Sequence, residues 1–583
     1  MRSGTGREFP PHVLREYALL ADGERGALCG PRGDIGWLCA PGWDDDAVLS
    51  SMMGGEGVYA VTPVDTFVWG GYYEPGTLVW RNRWVTNGNR VECHDALAFP
   101  GDPRTLVLLR RIAAVEHDVR VRVVLDVRGG FGRRSMRRID RDDDGRWAAV
   151  TGDLRLRWSG AADAELTDDG RFVVEIEVAG GTHHDLVLEL SDRRLGEPVD
   201  PDVAWEGTRN AWAAAVPELD KTVAPHDAQH SYAVLRGLTT TGGGMVAAAT
   251  LGLPERAEAG RNYDYRYVWL RDQCYAGIAA GLCDGHALLD AAVSFVVARV
   301  LEHGDRLVPA YRPDGRPLPE ETTLRLAGYP GGRAVVGNWV NGQFQLDSLG
   351  EILQLLASAS RHERLDTDGH RAIHVVTDVI ERRWQEPEAG IWELDDAWWA
   401  HSRLAVVAGL REIGARVPAA EGARFSALAE TILAETSKRC LADSGAWQRS
   451  PEHSGVDSAL LLPPVRGALA ADDPRTLATL AAVEHDLVRD GYVYRFAPDS
   501  RPLGQAEGAF LLCGFTMALA LSQQGRDVEA FRWFERTRAA CGPPGLMSEE
   551  YDVAQRQMRG NLPQAFVHAA LLETASRLAV DAR

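Results

Sequence analysis

No stretch of this 583-residue chain is apolar for long enough to cross a bilayer, and its first residues, MRSGTGREFPPHVL, lack the apolar centre of a secretory leader. The first absence argues against a membrane-spanning protein; the second makes the cytoplasm the expected location. Cysteines are few and scattered, at 29, 39, 93, 274, 283, 440, 513 and 541, with no Cys-x-x-Cys pair. A small disulfide scaffold is thereby excluded, and reduced, mostly buried thiols are expected. Positive charge is short as well. With 63 Lys and Arg against 83 Asp and Glu, the net charge of −20 repels nucleic acid and anionic lipid, so the expected partner is neutral or cationic, as a sugar is. Neither the charge balance nor the motifs speak to oligomeric state.

What is present is ordinary globular material, 45% apolar and 25% charged, enough for a large core in two or three units. The hydrophobic period changes once. Residues 103–192 alternate as strands do, with Val119, Val121 and Val123 interleaved by Arg120 and Arg122, and Phe172, Val174, Ile176 and Val178 interleaved by Glu175 and Glu177. Short strands of the same kind run back to about residue 15, which predicts an antiparallel β-sandwich over 1–205. From about 226 the period is helical, and roughly twelve segments can be drawn between 226 and 578. One of them has Asp473-Pro474 at its start and Gly491 at its expected stop. Six antiparallel pairs can close into a ring, with apolar inner helices such as 506–523 and amphipathic outer ones such as 421–439, although an open solenoid has the same pattern. The expected division is therefore a sandwich over 1–205, a linker over 206–225 and a helical domain over 226–583.

DRDDDG at 140–145 places Asp140, Asp142, Asp144 and Gly145 where an EF-hand loop begins, but Thr151 stands at the twelfth position and the flanks read as strands. A hairpin tip is the expectation, and no metal or cofactor is expected anywhere. Cys274 has no paired histidine motif and reads as a packed thiol.

Six ordered blocks carry a family resemblance: RGDIGWLCAPGWDDDAV at 32–48, RNYDYRYVWLRD at 261–272, GNWVNGQFQLDSLGEIL at 337–353, GIWEL at 390–394, EGAFLLCGF at 507–515 and LMSEEYDVAQRQMRGNLPQAFVHAALL at 546–572. Together they resemble glycoside hydrolase family 15, which contains glucoamylases, glucodextranases and some bacterial trehalases. The resemblance covers nearly the whole chain and implies a β-sandwich followed by an (α/α)6 barrel. It implies inverting hydrolysis of an α-glucoside from its non-reducing end, with a carboxylic acid and a carboxylate set far enough apart for a water between them. Glu393 matches the acid, its pKa expected to rise beside Trp392, and Glu549 the base, with Glu550 a competitor for that role. Tyr265 matches a tyrosine that holds the water. Arg271 and Asp272 match a pair gripping the terminal glucose, and Arg495 a further arginine on that sugar. Trp269, Trp392, Trp398, Trp399 and Tyr494 are candidates for flat faces against sugar rings, the two tryptophans of LDDAWWAHSR standing near the expected entrance.

The blocks depart from the family at one place. Where fungal glucoamylases carry DLWEE, this chain has GIWEL, so Leu394 stands where an acid would meet the next sugar. Trehalose, isomaltose, maltose and starch ends all stay open as substrates. Other classes stay open too: an (α/α)6 phosphorylase, which needs only the acid; a transglucosylase, which lengthens its substrate; and a sugar-binding protein without activity.

Overall fold

The computed structural model describes residues 8–255, 262–497, 502–505 and 507–581. Residues 1–7, Arg261 and Ala506 at the edges of two segments read above, and part of the 490–505 loop lie outside these.

Two eight-stranded antiparallel sheets make up the first part. Val119–Asp126 pairs with Phe172–Val178 in a register that sets Val121 opposite Ile176 and Arg122 opposite Glu175. One face is thus apolar and meets the other sheet, while the charged face pairs arginine against glutamate. Between the sheets lie Tyr59, Trp80, Trp84, Trp158 and Phe172, all fully buried. Arg110 and Asp95 form a buried ion pair at 2.8 Å, and the same guanidinium donates to the carbonyls of Tyr59 and Gly33. The DRDDDG segment is the expected hairpin tip: Arg137–Arg141 pairs with Trp147–Thr151, and Asp142 caps the turn by accepting from the Arg146 amide at 2.8 Å.

The helices follow in order: α1 (Pro201–Ala215), α2 (Pro225–Gly237), α3 (Leu270–Gly281), α4 (His286–His303), α5 (Leu346–Arg361), α6 (Thr367–Arg383), α7 (Ala400–Gly414), α8 (Ala419–Cys440), α9 (Leu462–Val465), α10 (Pro474–Asp486), α11 (Leu511–Gln523), α12 (Asp527–Arg538) and α13 (Ala565–Asp581). The odd-numbered helices from α3 to α13 touch in sequence, and α13 returns to touch α3. The ring is closed, which removes the solenoid alternative. Every residue of α3 is buried, as an inner helix requires. Outer helix α8 buries Phe425, Ala429, Ile432, Leu433 and Thr436 on one stripe and exposes Arg424 and Glu430. Helix α9 is a single turn that accommodates Pro463 and Pro464, because first-turn amides have no partner within the helix to lose.

Two local expectations shift. Helix α10 begins as expected, Asp473 accepting from the Arg475 amide, but it stops at Asp486. Gly491 instead closes a two-residue hairpin: Asp490 and Gly491 have φ of 52° and 75°, the double left-handed turn that Asp-Gly favours, and Arg489 pairs with Tyr492. Inner helix α11 starts at Leu511, because Ala509–Phe510 pair as a strand with Tyr551 and Glu550.

Sandwich and barrel are joined by polar contacts without solvent. The Trp37 indole donates to the Ala249 carbonyl at 2.8 Å. Arg266, fully buried, pairs with Asp264 at 2.8 Å and donates to the carbonyls of Asp45 and Trp43 in the sandwich. Asp264 also accepts from the Gly337 amide. Among the described residues no helix is long and apolar enough to cross a membrane.

Candidate active site

At the N-terminal ends of the inner helices lies a cavity of about 140 Å3. That is space for about five water molecules, on the scale of a sugar ring. Glu393, Glu549, Tyr265, Trp269, Arg271, Asp272, Trp392 and Arg495 all line it. Its remaining wall includes Glu255, Tyr263, Trp339, Leu394, Phe510 and Phe566.

Glu393 is delivered by a tight turn between α6 and α7. Glu388, buried against Arg403 at 2.8 Å, accepts from the Gly390 amide and so fixes the start of that turn. Glu393 itself sits at φ 55°, a left-handed conformation that costs a non-glycine residue about 1 kcal/mol or more. This reversal aims its carboxylate at the cavity. Oε1 accepts from the Trp269 indole at 2.7 Å, from Gln345 at 3.3 Å and from Arg271 at 3.4 Å. Among the described residues none donates to Oε2. Trp392, the expected shield, turns its indole N–H to Asp457 at 2.9 Å and its ring edge to Phe510.

Glu549 stands just before the short strand Glu550–Asp552, and neighbouring side chains there point opposite ways. Glu549 faces the cavity; its Oε2 is buried and has no hydrogen-bond partner. Glu550 turns away, accepts from the Gly508 amide at 2.8 Å and lies 3.8 Å from Arg495. Burial, followed by the charge of Glu255, pushes both carboxyls well above the ordinary carboxylate range, with Arg495 opposing. Tyr265 is stacked on Tyr263 at 6.0 Å between ring centres, and burial together with the charge of Glu549 raises its phenol.

Arg271 and Asp272 are a buried pair at the start of α3, 3.7 Å apart. Arg271 also faces Asp347 at 3.8 Å and hydrogen-bonds Gln345. Burial pushes Asp272 up to about 7, with Arg271 holding it back. Arg495 forms a buried pair with Glu507 at 2.6 Å and lies over the rings of Phe510 and Trp392.

Three of the aromatic candidates stand elsewhere. Trp398 is core, with Arg403 and Arg439 against its ring. Trp399 is buried and stacked on His453, and Tyr494 is buried outside the cavity wall. The tryptophans after Glu393 therefore do not narrow the entrance; Trp339, which the sequence reading passed over, stands on the cavity wall and is 47% exposed. Gln345, Asp347 and Glu507 lay inside quoted blocks without a role, whereas Glu255, in an unremarkable loop sequence, carried no signal. Cys274 is a packed thiol raised by burial.

The family model described as Glycosyl hydrolases family 15 matches residues 229–576, and one described as Trehalase-like, N-terminal matches residues 6–213. A trehalase of Mycolicibacterium smegmatis is 28% identical over 97% of this chain and 90% of its own length. One from Mycobacterium tuberculosis is 27% identical over 97% and 89%. The fold is that of a bacterial glucoamylase crystallised with acarbose, with a TM-score of 0.72 over 99% of this chain and 96% of that one at 13% identity. The protein is a glycoside hydrolase, and its chain belongs to glycosyl hydrolase family 15.

Proposed function

We propose that the enzyme hydrolyses α,α-trehalose with inversion at one anomeric carbon. The observation that carries this reading is the pair of carboxyls, from separate loops, lining one small cavity with nothing bonded to Glu393 Oε2 or Glu549 Oε2 among the described residues. In the proposed reaction Glu393 gives a proton to the glycosidic oxygen as that oxygen leaves. Water, held by Tyr265, attacks the anomeric carbon from the other face and loses its proton to Glu549. Arg271, Asp272 and Arg495 hold the hydroxyls of the glucose being attacked, and Trp269 and Trp392 flank its ring. The leaving glucose occupies the side bounded by Leu394. Similarity to trehalases along nearly the full chain supports the disaccharide as substrate.

Release of glucose from trehalose, maltose, isomaltose and soluble starch, with the anomers followed by NMR, tests the reading. Trehalose is expected to give equal amounts of α- and β-glucose at first, one from the leaving sugar and one from the inverted centre. Two molecules of α-glucose would contradict inversion, and a faster reaction on starch would contradict the substrate. An otherwise identical assay with added phosphate separates hydrolysis from phosphorolysis through the appearance of glucose phosphate.

The pH profile follows from the crowding of acids. The base acts only when ionised, so activity falls as pH drops through the raised pKa of Glu549. The acidic limb of kcat/KM is expected above about 4.3, the value of an unperturbed glutamate. Glu550→Gln removes a neighbouring negative charge, favours the ionised base and is expected to move that limb to lower pH. An unmoved limb would show that Glu549 does not set it.

A further inference from the structure

At the end of the barrel away from the cavity, the turn after α3 and the residue that follows α5 bring together Asp284, His286 and His362. Asp284 follows the end of α3, His286 opens α4 and His362 is the residue that terminates α5. One ligand atom from each lies within 4.8 Å of the others, and the two imidazole ring centres are 5.3 Å apart.

We propose that these three residues bind a divalent transition ion of the zinc type. Two imidazoles and one carboxylate form a donor set suited to Zn2+ and its neighbours and poorly suited to Mg2+ or Ca2+, which take oxygen ligands. Independent features point the same way. His286 Nε2 is closed off from solvent yet has no hydrogen-bond partner, a buried nitrogen that a metal bond would satisfy. The last carbonyls of α3 and α5 point toward this end, and helix C-termini favour positive charge. Asp284 holds φ 55°, which turns the chain sharply between α3 and α4 and sets its carboxylate beside His286. The nearby cations are already matched, Arg361 by Glu412 and Arg364 by Asp290.

Zinc at bonds near 2.1 Å draws tetrahedral ligands to about 3.4 Å from one another, so ligand atoms now within 4.8 Å need to close by at most about 1.4 Å, a movement open to the exposed Asp284 side chain. Three protein ligands leave the fourth position to water. An ion there would tie the α3–α4 turn to the end of α5, two inner helices whose opposite ends carry Arg271 and Asp347.

The test uses the tag-free full chain, stripped with chelator and titrated with Zn2+ by calorimetry and with Co2+ by visible absorption. One ion per chain is expected, with a four-coordinate cobalt spectrum. His286→Ala and His362→Ala are each expected to weaken binding by roughly 100-fold or more, with circular dichroism and glucose release at wild-type levels. Asp284→Asn, whose side chain is exposed and whose residue type also accepts the left-handed backbone at φ 55°, is likewise expected to weaken binding and serves as a second reading should a histidine variant fail to fold. Absence of saturable binding, or a single site that survives these substitutions, overturns the proposal.

Discussion

Glu549→Gln is expected to lower kcat by roughly 10³-fold or more with KM little changed, because glutamine fills the same space and cannot take a proton from water. Glu393→Gln is expected to fall by a similar factor, for loss of the donor. The two roles separate on α-glucosyl fluoride, whose leaving group needs little protonation. Glu393→Gln recovers much of its activity on that substrate, and Glu549→Gln does not. Glu550→Gln stays within about tenfold of the wild type on trehalose, since Glu550 faces Gly508 and Arg495 and does not line the cavity. Ordinary activity in either of the first two variants would remove the proposed site, and recovery by the wrong one would exchange the roles.

Arg271→Ala has the second large effect, and it reaches stability as well as activity. The guanidinium is buried among Asp272, Asp347 and Glu393, so its removal leaves buried carboxylates without a counter-ion. Breaking a buried pair in this way costs roughly 3–5 kcal/mol of folding free energy. The sign of its pH dependence is fixed. Asp272, whose folded pKa is raised to about 7, and Asp347, also raised by burial, favour the folded state while protonated and weigh against it as pH rises through those values. Without Arg271 both shift further up, so the loss is largest at alkaline pH and smaller near pH 5. Urea unfolding at the two pH values checks this, and an equal loss at both would refute it. Arg271→Lys keeps the charge without the planar fork and is expected to retain most stability while losing activity.

The change of hydrophobic period was enough to read a sandwich followed by a ring of paired helices, because a buried sheet and a buried helix repeat differently. What it could not reveal was the rim of the cavity. Val268–Trp269 and Ala509–Phe510 form two-residue strands before inner helices and look like helical sequence when read by hydrophobicity. The six blocks bring seven of the eight expected site side chains to one cavity, Arg495 coming from outside them, yet adjacency misdirected the reading just beyond Glu393. The chain reverses at its positive φ and then enters α7, so Trp398 and Trp399 run into the core. Glu255 was invisible because nothing in a Pro-Glu-Arg loop distinguishes a buried acid from a solvated one. Gln345 and Asp347 sat in a recognised block, but only coordinates show that they back Arg271.

The clasp of Arg266 on the carbonyls of Trp43 and Asp45 bears on how such proteins can be recombined. Its neighbour in the chain is Tyr265, on the cavity wall, so the segment that would hold the attacking water is pinned from the other unit. A helical part grafted onto a foreign partner, or produced alone, would keep Glu393 and Glu549 and still lose the anchor beside Tyr265. The first two hundred residues thus hold in place, without lining the cavity, the segment that carries Tyr265.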